Sequence, residues 1–209
     1  MSLLFESIDF EENPLYESII SDLALRKYSI VDHFFNDEEV VLLRDALLKT
    51  YEDDKFKKAA IGNRLNENVV KSIRGDLIFW MDETNAHTNE KLFFNKVNDF
   101  IGYLNKTCFL GILQKEFHYA IYPKGTFYRK HLDTFQNDDR RKLSLVCYLN
   151  EDGWQPEYGG ELVLYLKEAD KIIYPTPGKV VIFESQVIEH EVKPVQVERL
   201  SITGWLKTR

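Results

Sequence analysis

"RLSITGWL", residues 199–206, decides how this chain folds. Successive side chains of an extended strand point to opposite faces. Arg199, Ser201, Thr203 and Trp205 therefore share one face, and Leu200, Ile202 and Leu206 share the other. The same period of two runs through everything after Gly111: "KEFHYAIY" (115–122), "KLSLVCYL" (142–149), "ELVLYL" (161–166), "KVVIFES" (179–185) and "HEVKP" (190–194). Turn signals separate these runs, namely Pro123-Lys124-Gly125, "NEDGWQPEYGG" and "YPTPGK". Short strands at this spacing predict a β-sandwich, jelly roll or barrel. The apolar face of 199–206 is a core face. Its polar face meets solvent in an ordinary sheet, but lines a cavity if the sheet is one layer of a roll.

Before Gly111 the period is helical. "NDEEVVLLRDALLKTYEDD" (36–54) starts with Asn36 as a cap and Glu39 at the capping-box position, and Val40, Leu43, Leu47 and Leu48 recur on one side. "TNEKLFFNKVNDFIGYLNKT" (88–107) carries Leu92, Phe93, Val97, Phe100, Ile101 and Leu104 on a broad face. A weaker helix covers residues 15–26, and a short strand covers 76–80. The expected architecture is α+β and mainly β. One domain over 1–209 has a helix-rich part (1–110) packed outside one sheet of a β-roll core (111–209). A long polar loop at residues 51–72 reads either as a substrate-gripping element or as an ordinary connection.

Composition excludes several function classes. The 209 residues carry a net charge of −7, with basic residues scattered among acids. Nucleic-acid binders need a basic footprint, so nucleic acid is not an expected partner. No apolar run reaches the roughly 18 residues of a membrane span, and the first residues lack a basic leader pattern. The two cysteines, Cys108 and Cys147, form no disulfide framework or zinc spacing. A reducing, cytoplasmic location is the expectation.

"YRKHLDTF" (128–135) places His131 and Asp133 two apart. Such a pair arises readily by chance in a chain with five histidines and 34 acids. On a strand, however, i and i+2 are co-facial, so both can grip one ion. Of the remaining histidines, His33 and His87 sit at helix starts, and His118 reads as a packed, hydrogen-bonded core residue. His190 opens a short strand and completes a set of two histidines and one carboxylate. That set suits non-haem Fe(II) and leaves positions open for a chelating cosubstrate and dioxygen. Arg199 follows nine residues later. A guanidinium on a cavity-lining face holds a carboxylate through paired hydrogen bonds. Tyr122 and Tyr148 lie on other strands, either as phenol donors nearby or as packing aromatics.

In this order and spacing, "IRGDLIFW", "YPKGTFYRKHLD", "LVCYLNEDGW", "YGGELVLY", "PGKVVIFES", "HEVKPV" and "RLSITGW" resemble the 2-oxoglutarate/Fe(II)-dependent prolyl 4-hydroxylase family, especially its hypoxia-sensor-like and microbial members. The resemblance runs from about Arg74 to Trp205. It implies a double-stranded β-helix (jelly roll) with N-terminal supporting helices. It implies metal ligands His131, Asp133 and His190, with Arg199 and Tyr148 on the far carboxylate of 2-oxoglutarate. Tyr122, Thr203 and Trp205 then line the cosubstrate pocket, and Arg74 and Asp76 border a peptide groove next to the 51–72 loop. The implied cofactors are Fe(II), 2-oxoglutarate and O2, with ascorbate as an auxiliary reductant. The implied partner is a protein or peptide substrate, with the translation machinery as first candidate. The segments 134–142 and 167–176 are variable in the family and flank the entrance.

Three readings follow: a prolyl hydroxylase of proteins or peptides, a 2-oxoglutarate oxygenase acting on another side chain or a small molecule, and a catalytically silent β-roll. The joint presence of His131, Asp133, His190 and Arg199 disfavours the last. The sequence leaves oligomeric state and the substrate's identity open.

Overall fold

The computed structural model describes residues 11–59, 73–134 and 140–208. Three α-helices precede the main run of strands: α1 (Pro14–Arg26), α2 (Asp37–Glu52) and α3 (Thr88–Cys108). Two antiparallel sheets follow. The larger contains β1 (Tyr28–Val31), β2 (Lys57–Lys58), β3 (Leu77–Trp80), β4 (Gln114–Tyr122), β6 (Arg141–Tyr148), β9 (Val180–Glu184) and β11 (Arg199–Lys207). Their order is β1-β9-β6-β11-β4-β3-β2. The smaller contains β5 (Tyr128–His131), β7 (Leu162–Tyr165), β8 (Lys171–Ile173) and β10 (Glu189–Val192), in the order β5-β10-β7-β8. Among the described residues no helix is long and apolar enough to cross a membrane.

The helices begin where their caps dictate. Asn36 Oδ1 accepts from the Glu39 amide at 2.9 Å, and Glu39 Oε2 accepts from the Asn36 amide at 2.8 Å, closing the expected capping box of α2. Pro14 occupies the first turn of α1, where its missing N–H costs nothing, and Asn13 caps that helix.

Alternation in the strands divides the core in two. Phe117, Tyr119 and Ile121 of β4, Leu143, Leu145 and Cys147 of β6, and Leu200, Ile202 and Leu206 of β11 pack against Phe93, Val97, Phe100 and Leu104 of α3 and Leu43 and Leu47 of α2. Each such side chain contributes about 1.5–3 kcal/mol by leaving water. The contact of α3 with the sheet is close: the Phe93 and Phe117 rings meet edge-on at 4.9 Å. A Cβ on Gly204 would lie 2.2 Å from the Phe117 ring and from the Glu116 carbonyl, so only glycine lets β4 and β11 approach this way. The opposite faces of the same strands present Ala120, Tyr122, Val146 and Tyr148 to Leu162, Leu164 and Val192 of the smaller sheet. The polar face of 199–206 is therefore internal, as a roll requires.

Three short strands depart from the expected set, β1, β2 and β8, while β5 is the strand whose end carries His131. β1 follows the left-handed Lys27 directly and is stabilised by pairing with β9, a long-range contact with no local signature. β8 lies inside a segment read as a variable loop and pairs with β7. The 51–72 loop is only partly within the described residues, through the end of α2 and β2, and residues 60–72 of it lie outside them. Of the 134–142 segment, residues 135–139 lie outside them.

Candidate metal and cosubstrate site

The smaller sheet brings the two histidines together by register. His131 of β5 lies directly opposite His190 of β10, and Asp133 lies just past the end of β5. His131 Nε2 is 3.4 Å from Asp133 Oδ1, and His190 Nε2 is 3.5 Å from Asp133 Oδ2. The outer nitrogens are already engaged: His131 Nδ1 donates to the Arg129 carbonyl at 2.7 Å and His190 Nδ1 to the Ile188 carbonyl at 3.2 Å. Those bonds fix the tautomer that leaves both Nε2 lone pairs aimed at Asp133. All three donor atoms lie within 4.8 Å of one another. Donors bound at about 2.1 Å and at right angles around one ion sit about 3 Å apart, so the residues fit an ion held on one side only.

Protonation favours the same use. Burial alone would raise the Asp133 carboxyl. The adjacent His190 and His131 imidazoles and the Ser144 hydroxyl outweigh it and hold the group well below the usual carboxylate range. Burial pushes His190 down to about 4, against the pull of Asp133. A carboxylate and a neutral imidazole are the forms a metal takes.

Ser144 is a residue that sequence reasoning missed. Its Oγ donates to Asp133 Oδ2 at 2.7 Å and lies 2.9 Å from Ser185 Oγ, and all three residues are buried. The available signal was a hydroxyl on the inward face of an otherwise apolar strand. Ser144→Ala is expected to weaken Fe(II) binding by about 10–100-fold, the usual cost of losing an outer-shell partner, while the thermal midpoint of metal-free protein moves little. Metal titration beside thermal unfolding checks this.

At the other end of the pocket Arg199 is 1% exposed, the largest fully buried side chain described. Its Nη1 donates to Ser201 Oγ at 3.4 Å, its Nε has no partner, and no carboxylate of the described chain pairs with it. Its guanidinium stands 4.9 Å from the Tyr122 ring and 5.0 Å from the Tyr148 ring, and the buried Tyr148 hydroxyl makes no hydrogen bond. Burial pushes both phenols up, so both stay protonated as donors. Space for the guanidinium comes from Gly160 (φ +69°), where a Cβ would lie 3.1 Å from Arg199 Cδ and 2.6 Å from Val195. Asn150, also missed, pins the strand: its Oδ1 accepts from the Leu200 amide at 2.7 Å and its Nδ2 donates to the Pro175 carbonyl at 2.6 Å.

Of the sequence candidates, His131, Asp133, His190, Arg199, Tyr122, Thr203, Trp205 and Arg74 line this one pocket. Tyr148 and Asp76 stand behind it. Asp76 holds Arg74 in a two-point pair (Nε–Oδ1 2.8 Å, Nη2–Oδ2 2.5 Å). Arg74 lies over the Tyr128 ring at 4.3 Å, and Tyr128 stacks on His131 at 3.6 Å. Tyr128 was not singled out in the sequence, because an aromatic beside a ligand has no pattern of its own. His118 departs from expectation. It is buried, but its Nδ1 has no hydrogen-bond partner and its side chain lines the pocket.

A one-sided three-donor grip and a buried cation that awaits an anion, facing one pocket, define a non-haem iron oxygenase that takes an oxo-acid cosubstrate. The sequence pattern of the 2OG-Fe(II) oxygenase superfamily matches residues 117–207. The crystal structure of a Pseudomonas putida prolyl-4-hydroxylase is 35% identical, with a TM-score of 0.83 over 93% of this chain and 99% of that one. A prolyl hydroxylase from Trichoplax adhaerens, solved with a peptide of the hypoxia inducible factor oxygen degradation domain, is 26% identical, with a TM-score of 0.84 over 93% of this chain and 89% of that one. The chain belongs to the prolyl 4-hydroxylase family of 2-oxoglutarate- and Fe(II)-dependent dioxygenases, which use Fe(II), 2-oxoglutarate and O2. A stretch of 120 residues, 56% of this chain, is also 25% identical to Collagenase ColA of Bacillus cereus and spans 12% of that protein.

Proposed function

We propose that this protein hydroxylates prolyl residues of a protein or peptide, converting 2-oxoglutarate and O2 to succinate and CO2 as one oxygen atom enters the substrate C–H bond. The observation that carries this reading is Arg199: a buried cation without a carboxylate of its own, facing the same pocket as the triad. A buried unpaired charge is costly, and a dicarboxylate cosubstrate relieves that cost on binding.

His131, Asp133 and His190 would hold the metal, which when bound supplies dioxygen activation coupled to decarboxylation of the oxo acid. Arg199 would bind the far carboxylate through its planar fork, with the Tyr148 hydroxyl as a second donor. Tyr122 and Thr203 would flank the cosubstrate, and Trp205 would close the side toward the substrate. Arg74, locked by Asp76 and stacked on Tyr128, would hold that wall of the groove against His131. These side chains orient the reacting groups and exclude water. Ascorbate serves as auxiliary reductant, the location is cytoplasmic, and the translation machinery is the first place to look for the substrate.

Purified protein given Fe(II) is expected to turn over 2-oxoglutarate slowly without substrate. Proteome-wide mass spectrometry of cells with and without the protein is expected to find prolyl residues heavier by one oxygen atom. Oxygen found only on other residues or on a free small molecule would replace the prolyl reading and leave the oxygenase class standing.

A further inference from the structure

The inner face of β4 carries a polar side chain that the roles above leave unused. His118 is 3% exposed, and its Nδ1 makes no hydrogen bond. The ring is flanked by two tryptophans, its centroid 4.9 Å from that of Trp80 and 5.6 Å from that of Trp205. Trp205 Nε1 is a second buried group without a partner. His118 and Trp205 lie on paired strands, β4 and β11, and both line the pocket of the triad. Groups this deep are nearly always satisfied, and an indole nitrogen can only donate. Two such orphans side by side call for an acceptor oxygen that arrives from outside the chain.

The surroundings narrow the choice. Burial, with the charges of Arg74 and Arg141, keeps His118 neutral, its pKa down at about 3. Arg141 itself lies 3.5 Å over the Trp205 ring, so the local potential is positive and suits a carbonyl oxygen. His118 stands outside the group of side chains able to share an ion. Trp80 is half-buried and also lines a surface groove with Met81 and Lys115. Trp80, His118 and Trp205 thus stand in an aromatic row, of which His118 and Trp205 line the pocket of the triad, and aromatic-lined grooves are what proline-containing segments dock against.

We propose that His118, with the Trp205 indole N–H, is a specificity residue that binds a backbone carbonyl of the peptide substrate and so sets the target proline against the metal. The inference rests on the peptide prolyl hydroxylase reading above.

The test uses the whole chain loaded with Fe(II) and 2-oxoglutarate, and a pool of short capped peptides with a central proline. His118→Leu is expected to raise the peptide KM, and the peptide Kd measured calorimetrically without dioxygen, by about tenfold, the scale of one neutral hydrogen bond. Succinate formed per hydroxyproline is expected to rise, while the 2-oxoglutarate Kd stays within about twofold. His118→Gln, which keeps a donor and an acceptor, is expected to recover most of the peptide affinity. Removing an unsatisfied buried nitrogen is expected to leave the thermal midpoint unchanged or raise it by about 2–4 °C, whereas a merely structural histidine would lower it. If wild type hydroxylates the peptides and His118→Leu changes neither their affinity nor the coupling, the proposal is overturned and the function stands. If wild type consumes 2-oxoglutarate but neither binds nor hydroxylates any peptide, the peptide reading falls and takes the proposal with it.

Discussion

Asp133→Ala is expected to abolish turnover and to lower Fe(II) affinity by more than about 100-fold, beyond the loss from any outer-shell change. Among the described residues Asp133 is one of three side chains grouped so that they could hold an ion, and both imidazole nitrogens are oriented on it at 3.4 and 3.5 Å. It also carries the negative charge that offsets part of the ion's own. Two imidazoles cannot replace that charge, and the Ser144 hydroxyl loses the carboxylate it donates to. Asp133→Asn separates the two roles. The amide keeps the shape and an oxygen for Ser144, so the fold should match wild type by circular dichroism and thermal unfolding, yet metal loading should still fail. Normal metal content in either variant would remove Asp133 from the ligand set.

The site was legible because its parts obey short-range rules. His131 and Asp133 are two apart at a strand end, close enough to face one point although Asp133 lies just past β5. Arg199 sits on a face whose other side is plainly apolar. What the sequence did not display is pairing between distant segments. That His190 stands opposite His131 is a fact of register between β5 and β10, and nothing near either residue states it. β1 and β8 escaped for the same reason, since each owes its extended form to one partner strand.

His118 and Ser144 show a second limit. Both are polar residues on inward faces of strands that also carry core aliphatics. Pattern alone gives a buried polar residue its commonest explanation, a satisfied hydrogen bond. For Ser144 that explanation holds, and the partner is Asp133. For His118 it does not, because β4 and β11 turn this row of side chains into a pocket. Telling the two apart needs the second layer of the roll.

Arg199→Met is expected to do two opposite things to stability. Without cosubstrate, the variant should unfold at a temperature equal to or above wild type, because a buried cation with no carboxylate partner gives way to a side chain that needs none. Apolar replacements of buried charges are often stabilising by about 1–4 kcal/mol. With cosubstrate the order should reverse. A ligand that binds only the folded state raises its stability in proportion to ln(1 + [L]/Kd), so 2-oxoglutarate should raise the wild-type midpoint and leave the variant unmoved. Loss of a buried, hydrogen-bonded charge partner costs about 2–5 kcal/mol, or roughly 30- to several-thousand-fold in 2-oxoglutarate affinity. Arg199→Lys should fall between: the charge stays, but the ammonium is a point donor on a shorter stem and loses the planar fork. Fe(II) affinity should be unchanged in both, since Arg199 touches none of the donors. If 2-oxoglutarate still protects Arg199→Met against heat as it protects wild type, the carboxylate is bound elsewhere and the clamp assigned to β11 is wrong.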